Sequence, residues 1–349
     1  MANPIRWGII GCGSVCEVKS GPGFQNVDGS TLAAVMRRDG DKARDFARRH
    51  HVPRWYDDAD TLIRDADVDA IYIATPVGTH AALALKVADA GKACYVEKPM
   101  ARNLAECAQM NRAFAQRRLP LFVAYYRRAL PRFVKVKSLI DARRLGTISG
   151  VHYRFAGPQH RDVDPDHLPW RLVPEQSGGG LIMDLGSHTL DLLDYLLGPL
   201  QDVAGHAANL ASPYAVEDTV TMSFRTAAGV PGAASWNFAS PVSEDRITIT
   251  GSDARVSLST FGNEPVQLES ADGCESFDLP NPKHIQQPLI QTIVDELRSG
   301  DGGGGGNCPS TGVTAARTNG VLDAVLAGYY DGRDDGFWTR MSPKPTRQV

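Results

Sequence analysis

The stretch Ile5-Arg6-Trp7-Gly8-Ile9-Ile10-Gly11-Cys12-Gly13-Ser14-Val15-Cys16 decides how this chain folds. Its first six residues are largely apolar and read as a strand. A Gly-x-Gly turn follows at once, and a helical pattern follows the turn. Glycines in that place let the backbone reverse tightly and approach a pyrophosphate, which then meets the amides of a helix N-terminus. Cys16 replaces the third glycine of this fingerprint with another small side chain.

Working outward, Thr31-Leu32-Ala33-Ala34-Val35-Met36, Ala70-Ile71-Tyr72-Ile73-Ala74, Ala93-Cys94-Tyr95-Val96 and Leu121-Phe122-Val123-Ala124 read as further strands. Helical patterns at 42–50 and 81–90 lie between them, the second ending at Gly91, a typical helix stop. Asn103 opens another helix with Glu106 as its reciprocal cap. Apolar strands separated by helices predict an α/β fold with a parallel, doubly wound sheet. Near Tyr125 the pattern changes. One more helix (131–144) precedes alternating stretches, with Val151, Tyr153 and Phe155 on one face, then Val220, Met222 and Phe224, then Ile247 and Ile249, then Val256 and Leu258. These predict an α+β domain with a large, open, mostly antiparallel sheet, one face of it polar or covered by a partner. A helix over 181–197 interrupts the sheet. The glycine run 302–306 reads as a loop tip, and an amphipathic helix over 314–330 is expected to pack back on the first domain. The expected division is a dinucleotide-binding domain at 1–124 and a substrate-binding domain at 125–349.

The chain has 349 residues, of which 42% are hydrophobic, enough for two cores. A formal charge of −3 argues against nucleic acid or an anionic membrane as partner. No basic segment followed by an apolar one opens the sequence, and no apolar stretch approaches the ~20 residues of a membrane helix. The cysteines, at 12, 16, 94, 107, 274 and 308, form no C-x-x-C pair and suit neither zinc nor a disulfide framework. Reduced thiols in a soluble cytoplasmic protein are expected.

Chemistry-bearing residues cluster at strand ends. Arg37 and Arg38 follow the second apolar run, where an acidic residue grips the ribose 2′-hydroxyl of NAD and an arginine accommodates the 2′-phosphate of NADP. An arginine's planar fork suits phosphate, which predicts NADP over NAD; Asp39 is the alternative supplier of a carboxylate. Thr75-Pro76 is a turn at the same sheet edge, suited to the nicotinamide half. Lys98, in Glu97-Lys98-Pro99, stands where open α/β sheets hold their ligands. Further on, Gly178-Gly179-Gly180 leads into a helix on which Asp184 and His188, four apart, share a face. Hydride transfer from an alcohol needs a proton acceptor, which a histidine supplies, and a lysine cation stabilises a developing alkoxide. A metal is not expected, since no third ligand accompanies Asp184 and His188.

Gly11-Cys12-Gly13, Ala74-Thr75-Pro76 with His80, Glu97-Lys98-Pro99, and Gly178-Gly179-Gly180 through Asp184, Gly186 and His188 occur in the order found in the Gfo/Idh/MocA oxidoreductases, and the chain resembles that family over essentially its whole length. The group is named for glucose–fructose oxidoreductase and inositol dehydrogenase. The resemblance implies an N-terminal Rossmann domain and a C-terminal domain whose open sheet forms a homodimer or homotetramer. It implies Lys98, Asp184 and His188 as the catalytic set. Cofactor contacts are expected from Gly11, Cys12, Gly13, Ser14, Val15, Arg37, Arg38, Thr75, Pro76, His80, Glu97 and Lys98. Substrate contacts are expected from Lys98, Tyr126, Arg127, Trp170, Arg171, Asp184 and His188. The expected function is NADP- or NAD-dependent hydride transfer to or from a sugar, cyclic polyol or related diol. The alternatives are a hydrolase or lyase using bound NAD transiently, and a non-catalytic dinucleotide-sensing module.

Overall fold

Short apolar strands, most of them buried on both faces, build the first sheet. They are β1 (Ile5–Ile10), β2 (Ser30–Met36), β3 (Arg54–Tyr56), β4 (Ala70–Ile73), β5 (Ala93–Val96) and β6 (Leu121–Val123). They lie in the order β3-β2-β1-β4-β5-β6, every pairing parallel. The helices between them are α1 (Ser14–Val18), α2 (Gly21–Asn26), α3 (Gly40–Arg49), α4 (Ala59–Arg64), α5 (His80–Asp89) and α6 (Leu104–Arg117). Alternate side chains of each strand go to opposite faces. Ile71, Ile73, Cys94 and Val96 join one core with Leu62, Ala84, Val87 and Phe114. Tyr72 and Tyr95 point the other way, stacked at 4.8 Å, and Phe24 and Trp7 close over them. Asp39 and Asp58 start α3 and α4 by accepting the backbone N–H groups of Lys42 and Thr61.

The computed structural model describes residues 3–159, 163–299 and 308–331; the predicted glycine loop at 302–306 lies outside the described residues. The chain divides into two compact units. The first comprises Met1–Ala101, Glu106–Leu130 and Asn281–Ala316; the second comprises Arg102–Ala105, Pro131–Pro280 and Arg317–Val349.

In the second unit, α7 (Pro131–Asp141), α8 (Pro174–Ser177) and α9 (Ser187–Leu197) accompany an eight-stranded sheet. Its strands are β7 (Ile148–Pro158), β8 (Leu200–Ala208), β9 (Thr219–Thr226), β10 (Pro231–Asn237), β11 (Ala239–Gly251), β12 (Ala254–Leu258), β13 (Val266–Ser270) and β14 (Gly273–Phe277). The order is β14-β13-β12-β11-β7-β10-β9-β8, antiparallel except for β7 with β10. Val151, Tyr153, Val220, Met222, Ile247, Ile249, Val256 and Leu258 are buried on one face. His152, Arg154, Thr221, Ser223 and Arg255 are exposed.

Two helices close the described chain, α10 (Gln287–Ser299) and α11 (Gly312–Tyr330). A single cut at 124/125 would give the whole of Asn281–Ala316 to the second unit, yet this segment packs within the first. Ile290 reaches α2 beside Gly23, Gln291 accepts the Asp28 N–H, and Ser310 donates to the Val123 carbonyl at 2.7 Å. The last helix is shared, its first turn belonging to the first unit and the rest, from Arg317, to the second.

Candidate active site

The strands of the first sheet run the same way, so Arg37, Gly11, Thr75 and Lys98 follow strands whose carboxyl ends share one edge. With about 4.8 Å between neighbours, the distance from β2 to β5 is roughly 14 Å. Gly11 lies at the middle of that row with φ +91°, and a Cβ there would sit 2.8 Å from the Ala74 carbonyl oxygen. Only glycine lets β1 turn so close to β4. A Cβ on Gly13 would meet nothing nearer than 3.8 Å, so the space above the turn is open. The first turn of α1, at Ser14 and Val15, has no side-chain cap. Uncapped amides above open space fit a pyrophosphate. Cys12 is buried, and burial pushes its thiol up to about 11, so no thiolate opposes an anion there. Cys16, fully buried, turns its sulfur towards the Gly11 carbonyl at 3.8 Å and fills the place of the third glycine.

Arg37 is half-buried and Arg38 exposed at the end of β2, and neither guanidinium has a hydrogen-bond partner among the described residues. Asp39 is committed elsewhere: it accepts the Lys42 N–H at 3.1 Å and pairs with the Lys42 ammonium at 2.8 Å. These contacts with Lys42 hold its carboxyl below the usual range.

Thr75 and Pro76 occupy the end of β4 as predicted. His80 lies beneath them, fully buried, with Nε2 2.9 Å from the Thr75 carbonyl oxygen and Nδ1 3.1 Å from that of Pro99. Burial pushes its pKa down against these carbonyls. A neutral ring carries one N–H and donates to one of these two carbonyls, so His80 is buried between the two strand ends. Glu97 is also buried, its carboxylate accepting from the Tyr72 hydroxyl at 2.5 Å and the Gln286 amide at 2.6 Å. Lys98 is half-buried, and its backbone N–H donates to Glu97 Oε2 at 3.2 Å. Tyr126 and Arg127 lie in a buried 3₁₀ turn, the guanidinium 5.1 Å from the Tyr126 ring centre.

In the second unit the predicted helix over 181–197 is two elements. Ile182–Gly186 forms a π turn, and α9 follows. A π turn takes more residues per revolution than the 3.6 of an α-helix, so the Asp184-to-His188 step does not follow simple α spacing. Asp184 accepts the Arg171 Nε–H at 2.9 Å, and the Arg171 guanidinium lies 4.5 Å from the Trp170 ring centre. Trp170, Arg171 and Asp184 are therefore one cluster. His188 is 5% exposed, with the Phe261 ring edge-on at 6.0 Å. The glycine run is filled by the protein itself: Gly178, at φ +89°, leaves no room for a Cβ beside the Arg102 backbone, and Gly180 N–H donates to Glu217 at 2.7 Å.

Tyr72, Tyr95, Gln286 and Glu217 belong to none of the local motifs that mark the site. Two of them carried a signal: tyrosines at equivalent places in two otherwise aliphatic or small-residue strands. Register pairs Tyr72 with Tyr95 directly. Among the described residues no group of three His, Cys, Asp or Glu side chains is arranged to hold a metal, and no helix is long and apolar enough to cross a membrane.

A glycine turn after the first strand of a doubly wound sheet, with open amides above it and a lysine at the same edge, defines the class of dinucleotide-dependent oxidoreductases. Residues 5–125 match the model of an oxidoreductase family with an NAD-binding Rossmann fold, and residues 133–257 match the GFO/IDH/MocA C-terminal domain. The chain belongs to the Gfo/Idh/MocA family and is an NAD(P)-dependent oxidoreductase. It is 36% identical to Oxidoreductase P35 of Formosa agariphila over 297 residues, covering 84% of this chain and 91% of that one. It is 26% identical to the scyllo-inositol 2-dehydrogenase (NAD(+)) of Bacillus subtilis over 285 residues, covering 80% of each. Its fold matches the aldose-aldose oxidoreductase of Caulobacter crescentus, solved with glycerol, at a TM-score of 0.82 and 22% identity, over 95% of this chain and 99% of that one.

Proposed function

We propose that this oxidoreductase transfers hydride between NADP(H) and a hydroxyl-bearing carbon of a sugar or cyclic polyol. The observation that carries the cofactor preference is the end of β2, where Arg37 and Arg38 stand and Asp39 is consumed as the cap of α3. A free carboxylate there would favour the 2′-hydroxyl of NAD, and two unspent guanidinium groups favour a 2′-phosphate. The names of the inositol dehydrogenase and aldose oxidoreductase relatives support a polyhydroxylated substrate.

When bound, the nicotinamide supplies the hydride acceptor or donor. In the oxidative direction His188 takes the hydroxyl proton, and the Lys98 ammonium stabilises the developing alkoxide. Asp184 orients substrate or imidazole, and Arg171, gripped at Nε and stacked on Trp170, fixes the carboxylate's position. Ser14 and Val15 amides take the pyrophosphate, with Cys12 and Gly13 lining the turn. Thr75, Pro76 and Glu97 flank the nicotinamide half, while Tyr126 and Arg127 contribute to substrate binding. The exposed face of the eight-stranded sheet serves as the surface for homodimer or homotetramer formation. Six free thiols, five of them buried, suit the cytoplasm.

The test is a binding titration with NADPH and NADH, followed by a turnover screen of NADP+ and NAD+ with scyllo-inositol, myo-inositol, D-glucose and 1,2-diols. Net formation of reduced dinucleotide, favouring NADP+, is the expected result. Absence of dinucleotide binding, or turnover with no net cofactor reduction, contradicts the proposal.

A further inference from the structure

We infer that Gln286 is a positioning residue for Lys98, acting with Tyr72 and Tyr95 through the carboxylate of Glu97. The four side chains form one chain of hydrogen bonds within the first unit. The Tyr95 hydroxyl donates to Gln286 Oε1 at 3.0 Å, Gln286 Nε2 donates to Glu97 Oε1 at 2.6 Å, and the Tyr72 hydroxyl donates to the same oxygen at 2.5 Å. Glu97 Oε2 then accepts the backbone N–H of Lys98. The regular pairings of β5 end at Val96. The carboxylate thus takes over where the ladder stops, two residues before the turn at Pro99.

The arrangement has a single sense. A flipped Gln286 amide would set its oxygen against the Glu97 carboxylate and lose that bond, with the Tyr95 hydroxyl left to accept from the turned NH2. Burial, reinforced by the charge of Glu97, pushes the Tyr72 and Tyr95 phenols well above their ordinary range, so both remain O–H donors. Of the other groups that sense the Glu97 charge, burial pushes the Cys16 thiol up and the His80 imidazole down, each away from its charged form. A buried carboxylate with too few donors costs several kcal/mol, and here three donors meet it. Gln286 is 1% exposed and is itself fixed from outside the sheet. Its N–H donates to the Lys19 carbonyl at 3.3 Å, and the His284 Nδ1 lies 2.9 Å from the Val18 carbonyl oxygen. Leu289 and Ile290 are fully buried behind it. The Asn281–Ala316 segment therefore reaches the lysine-bearing strand end through one amide.

The kinetic part of this inference rests on the assignment of Lys98 to proton handling; the geometric part does not. The experiment compares the full-length protein with Gln286→Met, which keeps shape and removes both amide bonds, and with Tyr72→Phe, which deletes one oxygen and serves where the first variant does not fold. Hydrogen exchange of the Lys98 amide is expected to accelerate about tenfold in each, while the amides of β1 and β2 keep parental protection. With scyllo-inositol as probe, kcat is expected to fall about tenfold, with KM and the NADPH Kd within about twofold of parent. Parental exchange at Lys98 in the variants overturns the positioning, as does faster exchange with parental kcat. Lys98→Met is the control that separates the two ideas: parental turnover in that variant removes the lysine from the chemistry and leaves the exchange result to decide the network on its own.

Discussion

Replacing Arg37 with alanine tests the cofactor assignment, and its size follows from the exposure of the site. A solvent-exposed ion pair contributes about 0.2–1 kcal/mol. A hydrogen bond to a charged group contributes about 1.5–3 kcal/mol. Arg37 is half-buried at the end of β2; Asp39 feels its charge but makes its hydrogen bond and its ion pair with Lys42. The contribution to a 2′-phosphate should therefore fall at the lower end of the second range, about 1.5–2 kcal/mol, or roughly 10–30-fold in Kd. NADH has no phosphate to lose, so its Kd should move by less than about twofold. Fluorescence titration of both dinucleotides against parent and Arg37→Ala reads the two numbers directly. Raising the salt concentration should shrink the parental advantage for NADPH and leave that of the variant nearly flat. Equal losses for NADPH and NADH, or tighter parental binding of NADH, would refute the reasoning.

Acid sensitivity should reside partly in α1 and α3. Arg49 hydrogen bonds hold the Glu17 carboxyl down at about 2 against an ordinary 4.5, with burial opposing and His50 assisting. A depressed carboxyl contributes stability that is complete above about pH 4.5 and is lost as pH falls towards 2. The Glu17 side chain is 34% exposed, and with solvent screening the contribution is about 1 kcal/mol. Urea unfolding should show Glu17→Gln less stable than parent by that amount at pH 6 and by less at pH 3; a gap that widens on acidification contradicts this. Glu217 is buried between Gly180 N–H and the Tyr330 hydroxyl, both at 2.7 Å. Glu217→Leu should cost about 2–4 kcal/mol in urea unfolding by stranding both donors, and a loss below about 0.5 kcal/mol would show that the glycine run does not need it.

The parallel sheet was legible because its central strands are apolar on both faces: Ala93-Cys94-Tyr95-Val96 has no polar position to disguise it. Arg54–Tyr56 was not, since a three-residue edge strand with Trp55 41% exposed has no pattern to detect. In the second sheet, alternation marked β7, β9, the inner half of β11 and β12. It failed for β10, whose Gly232-Ala233-Ala234 carries little hydrophobic contrast, and for β14, which is exposed along most of its length. The π turn at Ile182–Gly186 was invisible because it alters backbone hydrogen-bond register while leaving apolar spacing nearly helical. At the site, local motifs placed Gly11, Thr75 and Lys98 on one edge. Arg171 pairing with Asp184, and Gln286 with Glu97 from 189 positions away, are long-range choices that no local pattern encodes.

The central claim is that Lys98 works on the reacting hydroxyl beside a bound dinucleotide, and Lys98→Met tests it most directly. NADPH titration should give a Kd within about threefold of parent, since the pyrophosphate and 2′-phosphate contacts lie on other strand ends. Turnover should fall by about 10²–10⁴, the range lost when a proton-handling group is removed. A variant that binds NADPH normally and turns over at the parental rate would contradict the account.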